Sequence, residues 1–340
     1  MANFYLQWHI TDRCPNNCKH CYIGKRTKQE PDLATTDRLI KDLQEMSSAL
    51  GCGIDIAITG GDPFLHPRFW EIVAKVRKVV DFLAILGNPE EINSYSISKL
   101  AEAGVDWCNI SVDGFMETHD SIRRTGSFKE SIRALKLLVK SSLHVGVHTT
   151  VSSWNIKELP DLMDYLYGLG IDRWAFSRYV PTDGKSLDIT PEEYYEFMHA
   201  IKERHAKWEQ RLGATRQGKD PLWATVYNDY PVNSDVIDGG CILGSMALTL
   251  LPDNTVMGCR RHEGSVLEKW EEGKSLLEIW VDNPRLNEIR EIKKIEYCNQ
   301  CKYLCSCRGC RAVAWATSQS LYGKDPQCIL ASLMEKEVRV

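Results

Sequence analysis

Three cysteines fall within eight residues in the segment Thr11-Asp12-Arg13-Cys14-Pro15-Asn16-Asn17-Cys18-Lys19-His20-Cys21-Tyr22. Thiolates this close are soft ligands that can share one inorganic centre. The irons of an iron-sulfur cubane take cysteine thiolate, and a cubane held by only three side chains leaves its fourth iron open to a substrate or cofactor. On residue count alone, a zinc ion with His20 as its fourth ligand is the alternative. A second field closes the chain: of thirteen cysteines, eight follow position 240, at Cys241, Cys259, Cys298, Cys301, Cys305, Cys307, Cys310 and Cys328. Eight thiols match two four-coordinate clusters in number, or two zincs. Only Cys52 and Cys108 lie between the two fields, beside or inside expected strands, where buried inert thiols are the expectation.

The elements that must position the first loop follow from hydrophobic period. Short β-rich runs are expected at Phe4 to Thr11, Ile54 to Thr59, Phe82 to Leu86, Trp107 to Val112, His144 to Val151 and Arg173 to Val180. Between them, helical spacing runs over Thr36 to Leu50, with Thr35 or Thr36 as N-cap, then Arg68 to Val79, Ser96 to Ala103, Ser127 to Ser141 and Ile156 to Leu169. Six βα units make an α/β fold with a parallel sheet, as an open doubly wound sheet or a partial barrel. In both, ligands sit at the carboxyl ends of the strands, where the first cysteine loop falls. Beyond Val180, a long charged helix spans Pro191 to Leu212, and a polar connection follows over 213–240. Then Leu248 to Leu251 and Thr255 to Cys259 read as a β-hairpin around Pro252-Asp253-Asn254. The division expected is 1–212, 213–240 and 241–340. The last part is short helices and cysteines, too poor in apolar period to hold itself together without metal.

Composition removes several functions. Lys plus Arg number 42 against 46 Asp plus Glu, a net charge of -4, so no general attraction to nucleic acid is expected. Apolar runs are broken by charge long before a membrane span, and Met1 to Ile10 lack the features of a secretory signal, which places the chain in the cytoplasm. In a reducing compartment, so many cysteines read as metal ligation before cross-linking.

The C-x3-C-x2-C loop after the first strand resembles the signature of the radical S-adenosylmethionine (SAM) superfamily. Thr59-Gly60-Gly61-Asp62-Pro63 is similar to that family's Gly-Gly-Glu element, with Asp62 in place of Glu, and Ser111-Val112-Asp113-Gly114 with His119 to Arg124 resembles a stretch of its peptide-modifying members. The resemblance implies a partial (β/α)6 barrel in which Cys14, Cys18 and Cys21 hold a [4Fe-4S] cluster that SAM chelates. Reduction then breaks the sulfonium bond and yields a 5'-deoxyadenosyl radical. It further implies cofactor contacts from Tyr22, the backbone of Gly60, Gly61, Asp62 and Pro63, and from Ser111, Asp113 and Arg123, with Arg124 the rival of Arg123 for the SAM carboxylate. An electron donor such as flavodoxin or ferredoxin is implied as well.

The C-terminal pattern, C-x2-C-x5-C-x2-C preceded by Cys241 and Cys259 and followed by Cys328, resembles the SPASM extension of radical SAM enzymes. Carried over, Cys241, Cys259 and Cys310 hold one auxiliary [4Fe-4S] cluster and Cys298, Cys301, Cys307 and Cys328 a second. Cys305 either completes the first or leaves it an open iron. The usual glycine five residues before the second cysteine is Asn254 here, a residue that also visits left-handed backbone.

By the same resemblance the substrate is a peptide or protein, as in thioether or carbon-carbon cross-linking of a ribosomal peptide. Its leader is gripped by the barrel or by a separate leader-binding protein, because the first strand starts near Phe4. Tetrapyrrole side-chain chemistry and sulfatase-type side-chain oxidation are the alternatives. An electron carrier would not need the Gly-Gly-Asp-Pro and Ser-Val-Asp-Gly elements. No general base is assigned. Smaller expectations complete the reading: His144 and His148 share a strand face, as core histidines ahead of barrel-lining acid-base groups; Arg178 ends a strand at the rim, as a contact to SAM or substrate or as a plain strand-end loop; and Trp70, Trp107, Trp174 and Trp280 are core. Lys19, Lys25, Arg26 and Lys28 make the cluster loop basic.

Overall fold

A computed structural model describes residues 3–24, 26–181, 189–212, 220–227 and 230–338. Lys25 of the basic loop, and 213–219 and 228–229 of the expected connection, lie outside the described residues.

Six strands, β1 (Phe4–His9), β2 (Ile54–Thr59), β3 (Phe82–Leu86), β4 (Trp107–Ser111), β5 (His144–Val151) and β6 (Arg173–Arg178), pair in parallel in sequence order. The crossovers are α1 (Leu33–Leu50), α2 (Phe69–Val76), α3 (Ser94–Glu102), α4 (Met116–Ile122) with α5 (Ser127–Leu138), and α6 (Leu159–Gly168). This is the expected partial barrel, with β6 at one edge. Along β1, Phe4, Leu6 and Trp8 are buried beneath the helices, and the alternate residues Tyr5, Gln7 and His9 point into the lumen. Register puts Asn109 beside Gly146, where a side chain would run into the Asn109 amide.

Helix α1 starts three residues earlier than expected. Asp32 caps it by accepting from the Thr35 N–H at 2.7 Å, and Gly51 ends it at a φ of 62°. Thr35 and Thr36 are inside the helix because the Asp32 cap lets it begin more than a turn ahead of the apolar stripe of Leu39, Leu43 and Met46.

After α7 (Pro191–Leu212) the chain returns to the same sheet. Strand β7 (Ala247–Leu250) lies parallel to β1, from Tyr5 opposite Ala247 to Trp8 opposite Leu250. Strand β8 (Thr255–Met257) folds back on it through a turn in which Asn254 has a φ of 63°, and β9 (Val266–Lys269), which the sequence reading lacks, extends the edge. The sheet therefore has nine strands and runs unbroken from the barrel into the cysteine-rich region. Helices α8 (Leu276–Asp282), α9 (Pro284–Arg290), α10 (Arg311–Ser318) and α11 (Ile329–Val338) complete the chain. Asp42 of α1 is buried against this region, accepting from the Trp270 indole at 2.8 Å and the Leu276 N–H at 2.7 Å. No helix of the described residues is long and apolar enough to cross a membrane.

Candidate active site

The first cysteine loop is fixed by backbone pairing to the end of β2. Gly61 N–H donates to the Thr11 carbonyl and Asp62 N–H to the Arg13 carbonyl, both at 2.7 Å. Gly60 has a φ of 152°, and a Cβ on Gly60 or Gly61 would run into those same carbonyls, so two glycines are needed for the chains to meet. Asp62 is buried and caps the short turn after it, its carboxylate facing the Phe64 and Asn88 N–H groups. Burial pushes that carboxyl up to about 7. Arg26 brackets the loop from outside through the carbonyls of Cys14 at 3.0 Å and Asn16 at 3.1 Å. The basic character expected of this loop is thus partly structural.

Within the loop Cys14, Cys18 and Cys21 come together as free, half-buried thiols. The Asn88 amide donates to Cys14 Sγ at 3.4 Å, and Arg123 Nη1 stands 4.0 Å from Cys18 Sγ. Burial pushes the Cys18 thiol up to about 11, with Arg123 opposing. Metal binding would reverse this, because the ligand is the thiolate. Donors aimed at sulfur are what a bound anionic cluster requires.

Around the loop, Asp113 is fully buried at the end of β4. Its Oδ2 meets His20 Nε2 at 2.8 Å and Arg123 Nε at 2.5 Å, and its Oδ1 accepts from the Thr150 N–H at 2.8 Å. Oδ2 therefore orients the loop and Arg123, while Oδ1 fixes the carboxylate to β5. Arg124 is turned away, bonded to Asn16, Glu90 and Glu130, so of the two arginines Arg123 stands at the thiols. Ser111 ends β4 half-buried, in register with His148, which bonds Ser177 at 3.0 Å. Tyr22 lies beside His9, ring centroids 6.3 Å apart. Pro63 is buried in the turn after Asp62.

The C-terminal thiols gather in two sets. Cys310 lies near both Cys259 and Cys241, and Cys298, Cys301, Cys307 and Cys328 neighbour one another. Cys305 is buried, its carbonyl accepting from the Asp238 N–H at 3.1 Å. Among the described residues, no three His, Cys, Asp or Glu side chains converge closely enough for one metal ion. A tetrahedral zinc needs thiolates about 2.3 Å from a single centre, whereas a cubane spreads them over four irons.

Several side chains differ from expectation. Arg178 is fully buried rather than at a rim. It bonds Asp220 at 2.8 Å, Asp325 through two bonds of 2.7 Å and Gln327 at 2.9 Å, and Asp325 in turn accepts the Cys310 N–H at 2.7 Å. The residue anchors the cysteine-rich region to β6. His144 is exposed, not core, because it begins β5 at the bottom of the barrel, stacked on Trp107 beside Asp172. Trp174 and Trp280 are buried but Trp70 and Trp107 only partly. Cys108 is buried as expected and Cys52 half-buried.

Sequence reasoning missed Asn88, His9 and Arg260. Asn88 follows β3 at its carboxyl end, a position that could have flagged it. His9 is fully buried on the lumen face of β1, and Arg260 follows Cys259 with its guanidinium 5.8 Å from the Tyr22 ring.

The fold is a parallel partial barrel with three thiols on the loop after its first strand, backed by a glycine pair from the second. Residues 8–166 match the model of the Radical SAM superfamily. It is 26% identical over 348 residues to the AdoMet-dependent heme synthase of Oleidesulfovibrio alaskensis, covering 95% of this chain and 86% of that one. It is 25% identical over 346 residues to mycofactocin maturase MftC of Mycobacterium ulcerans, covering 96% and 88%. The fold is like that of native anSMEcpe with bound AdoMet and Cp18Cys peptide, with a TM-score of 0.77 at 16% identity over 99% of this chain and 97% of that one.

Proposed function

We propose that this enzyme holds a [4Fe-4S] cluster on Cys14, Cys18 and Cys21 and binds SAM beside it, and that it abstracts hydrogen from a peptide substrate seated in the barrel lumen. The observation that carries this is the convergence of the three thiols on a loop locked to Gly60 and Gly61, with Asn88 and Arg123 aimed at sulfur. When bound, the cluster and SAM supply a 5'-deoxyadenosyl radical able to take hydrogen from unactivated carbon. The chain's part is positional. Asp113 holds His20 and Arg123 against the loop, Arg26 closes it from outside, and the lumen walls exclude competing donors.

Cys241, Cys259 and Cys310, and Cys298, Cys301, Cys307 and Cys328, hold two auxiliary clusters in this reading, and a flavodoxin or ferredoxin delivers electrons. A peptide substrate is supported by the likeness to MftC, which is named a maturase, and to a solved fold with a peptide bound. One observation favours a second reading, a tetrapyrrole substrate: relatives aligned over 95% of this chain are named heme synthases.

The test is made on protein reconstituted without oxygen, measuring iron and sulfide per chain and 5'-deoxyadenosine released from SAM under strong reductant. About twelve irons with cleavage is the expected result. About four irons would reduce the C-terminal sets to thiol or zinc sites, and no cleavage would sink the radical reading.

A further inference from the structure

Among the described residues, the lumen contains buried polar groups without a hydrogen-bond partner. His9 ends β1 with its ring fully buried, and among the described residues neither ring nitrogen has a hydrogen-bond partner. Arg260 approaches from the cysteine-rich region, and its buried Nε is likewise without one. The two residues flank Tyr22: its ring stands 6.3 Å from that of His9 and 5.8 Å from the Arg260 guanidinium. Burial first, then the Arg260 charge, holds the imidazole down to about 3, so His9 is neutral near pH 7 and carries one N–H to donate. Buried donors left unmade are costly, and two of them beside one ring, close enough for the Arg260 charge to act on His9, point to a ligand that completes them.

The place is as telling as the chemistry. His9 lies five residues before Cys14, Tyr22 follows Cys21, and Arg260 follows Cys259, and Tyr22 lies near both Cys21 and Cys259. Asp55, the lumen carboxylate of β2, is four residues below Thr59, the register partner of His9, and is bonded to Asn3 at 2.7 Å. A guanidinium beside a neutral N–H donor matches a carboxylate, which accepts from both and complements the charge.

We propose that His9 and Arg260 form a carboxylate-binding subsite that positions an acidic group of the substrate between the first cysteine loop and Cys259. This rests on the radical SAM reading above and narrows its substrate to one bearing a carboxylate. The same chemistry is presented by a peptide carboxyl group and by a tetrapyrrole propionate.

The test uses reconstituted full-length enzyme and two matched probe pairs. One is iron coproporphyrin III against its tetramethyl ester, and the other a short glutamate-ending peptide against its amidated glutamine counterpart. In at least one pair, the acid should bind about ten-fold or more tighter than the neutral form. Arg260→Gln and His9→Phe should abolish that preference, and Arg260→Lys should keep part of it. Iron per chain and the circular dichroism spectrum confirm that each variant has folded. Preference in the porphyrin pair assigns a propionate, and preference in the peptide pair assigns a peptide carboxyl. Equal binding of acid and neutral forms, no binding in either pair, or variants that retain the full preference would overturn the subsite. 5'-Deoxyadenosine release by the wild-type enzyme separates the two levels. Release without acid preference sinks the subsite alone, whereas no release sinks the radical reading beneath it.

Discussion

Arg123 and Asp113 are joined through Nε and Oδ2 at 2.5 Å, and the same oxygen lies 2.8 Å from His20 of the cysteine loop. One buried carboxylate thus ties a residue inside the C-x3-C-x2-C loop to the arginine that faces Cys18. Burial alone would raise the Asp113 pKa, but Arg123 and then His20 hold the carboxyl well below its ordinary range. The stability it contributes is fully present above the unfolded value of about 3.9 and is lost as pH falls toward the folded one. Asp113→Asn should cost about 3–5 kcal/mol in denaturant unfolding near neutral pH, because it leaves Arg123 buried without a counter-charge. It should also flatten the loss of stability below about pH 4. An unchanged unfolding midpoint would show that the ion pair is dispensable.

Asn88 acts on sulfur rather than on the fold. Its amide donates to Cys14 Sγ at 3.4 Å, and hydrogen bonds to cluster sulfur stabilise the reduced, more negative state. In Asn88→Ala the reduction potential of the first cluster should move to a more negative value with iron content unchanged. Titration followed by electron paramagnetic resonance measures this, and a potential equal to wild type would refute the contact.

Gly60 is required by space as well as by φ. Gly60→Ala places a methyl group against the Thr11 carbonyl at a backbone φ of 152°, which L side chains rarely adopt. The cysteine loop would be pushed from β2, so SAM affinity should fall by at least about tenfold, measured by equilibrium binding. Normal affinity would mean that the loop can re-seat without its glycine.

Arg178→Met strands Asp220 and Asp325 in the interior. A loss of about 3–5 kcal/mol is expected, together with poorer iron retention in the C-terminal sets, since Asp325 also accepts the Cys310 N–H. Thermal unfolding and iron content after gel filtration test the two effects separately. Retained stability would mean that the region docks by its apolar contacts alone.

Much of the barrel was legible because each strand is short, apolar and bounded by helices of clear period. The spans of β2, β3 and β5 coincide with expectation, and β1, β4 and β6 differ only by one or two residues at their carboxyl ends. Those ends are where the lumen residues change role from ladder to loop. The N-cap at Asp32 and the exposed His144 were misread because capping and burial depend on neighbours that local sequence does not name. Strand β9 was not visible, since Val266 to Lys269 has neither alternation nor length.

The sequence by itself determined the chemistry on offer: three thiols after the first strand, a glycine pair after the second, and a cysteine-rich end. Those are local facts of residue type and spacing. Only the tertiary structure decided that β7 docks beside β1, that Arg178 is a buried anchor, and that His9 and Arg260 both stand beside Tyr22. Each of these joins residues far apart in the chain. Such pairings are set by which buried groups can satisfy one another in three dimensions, and no window of sequence contains both partners.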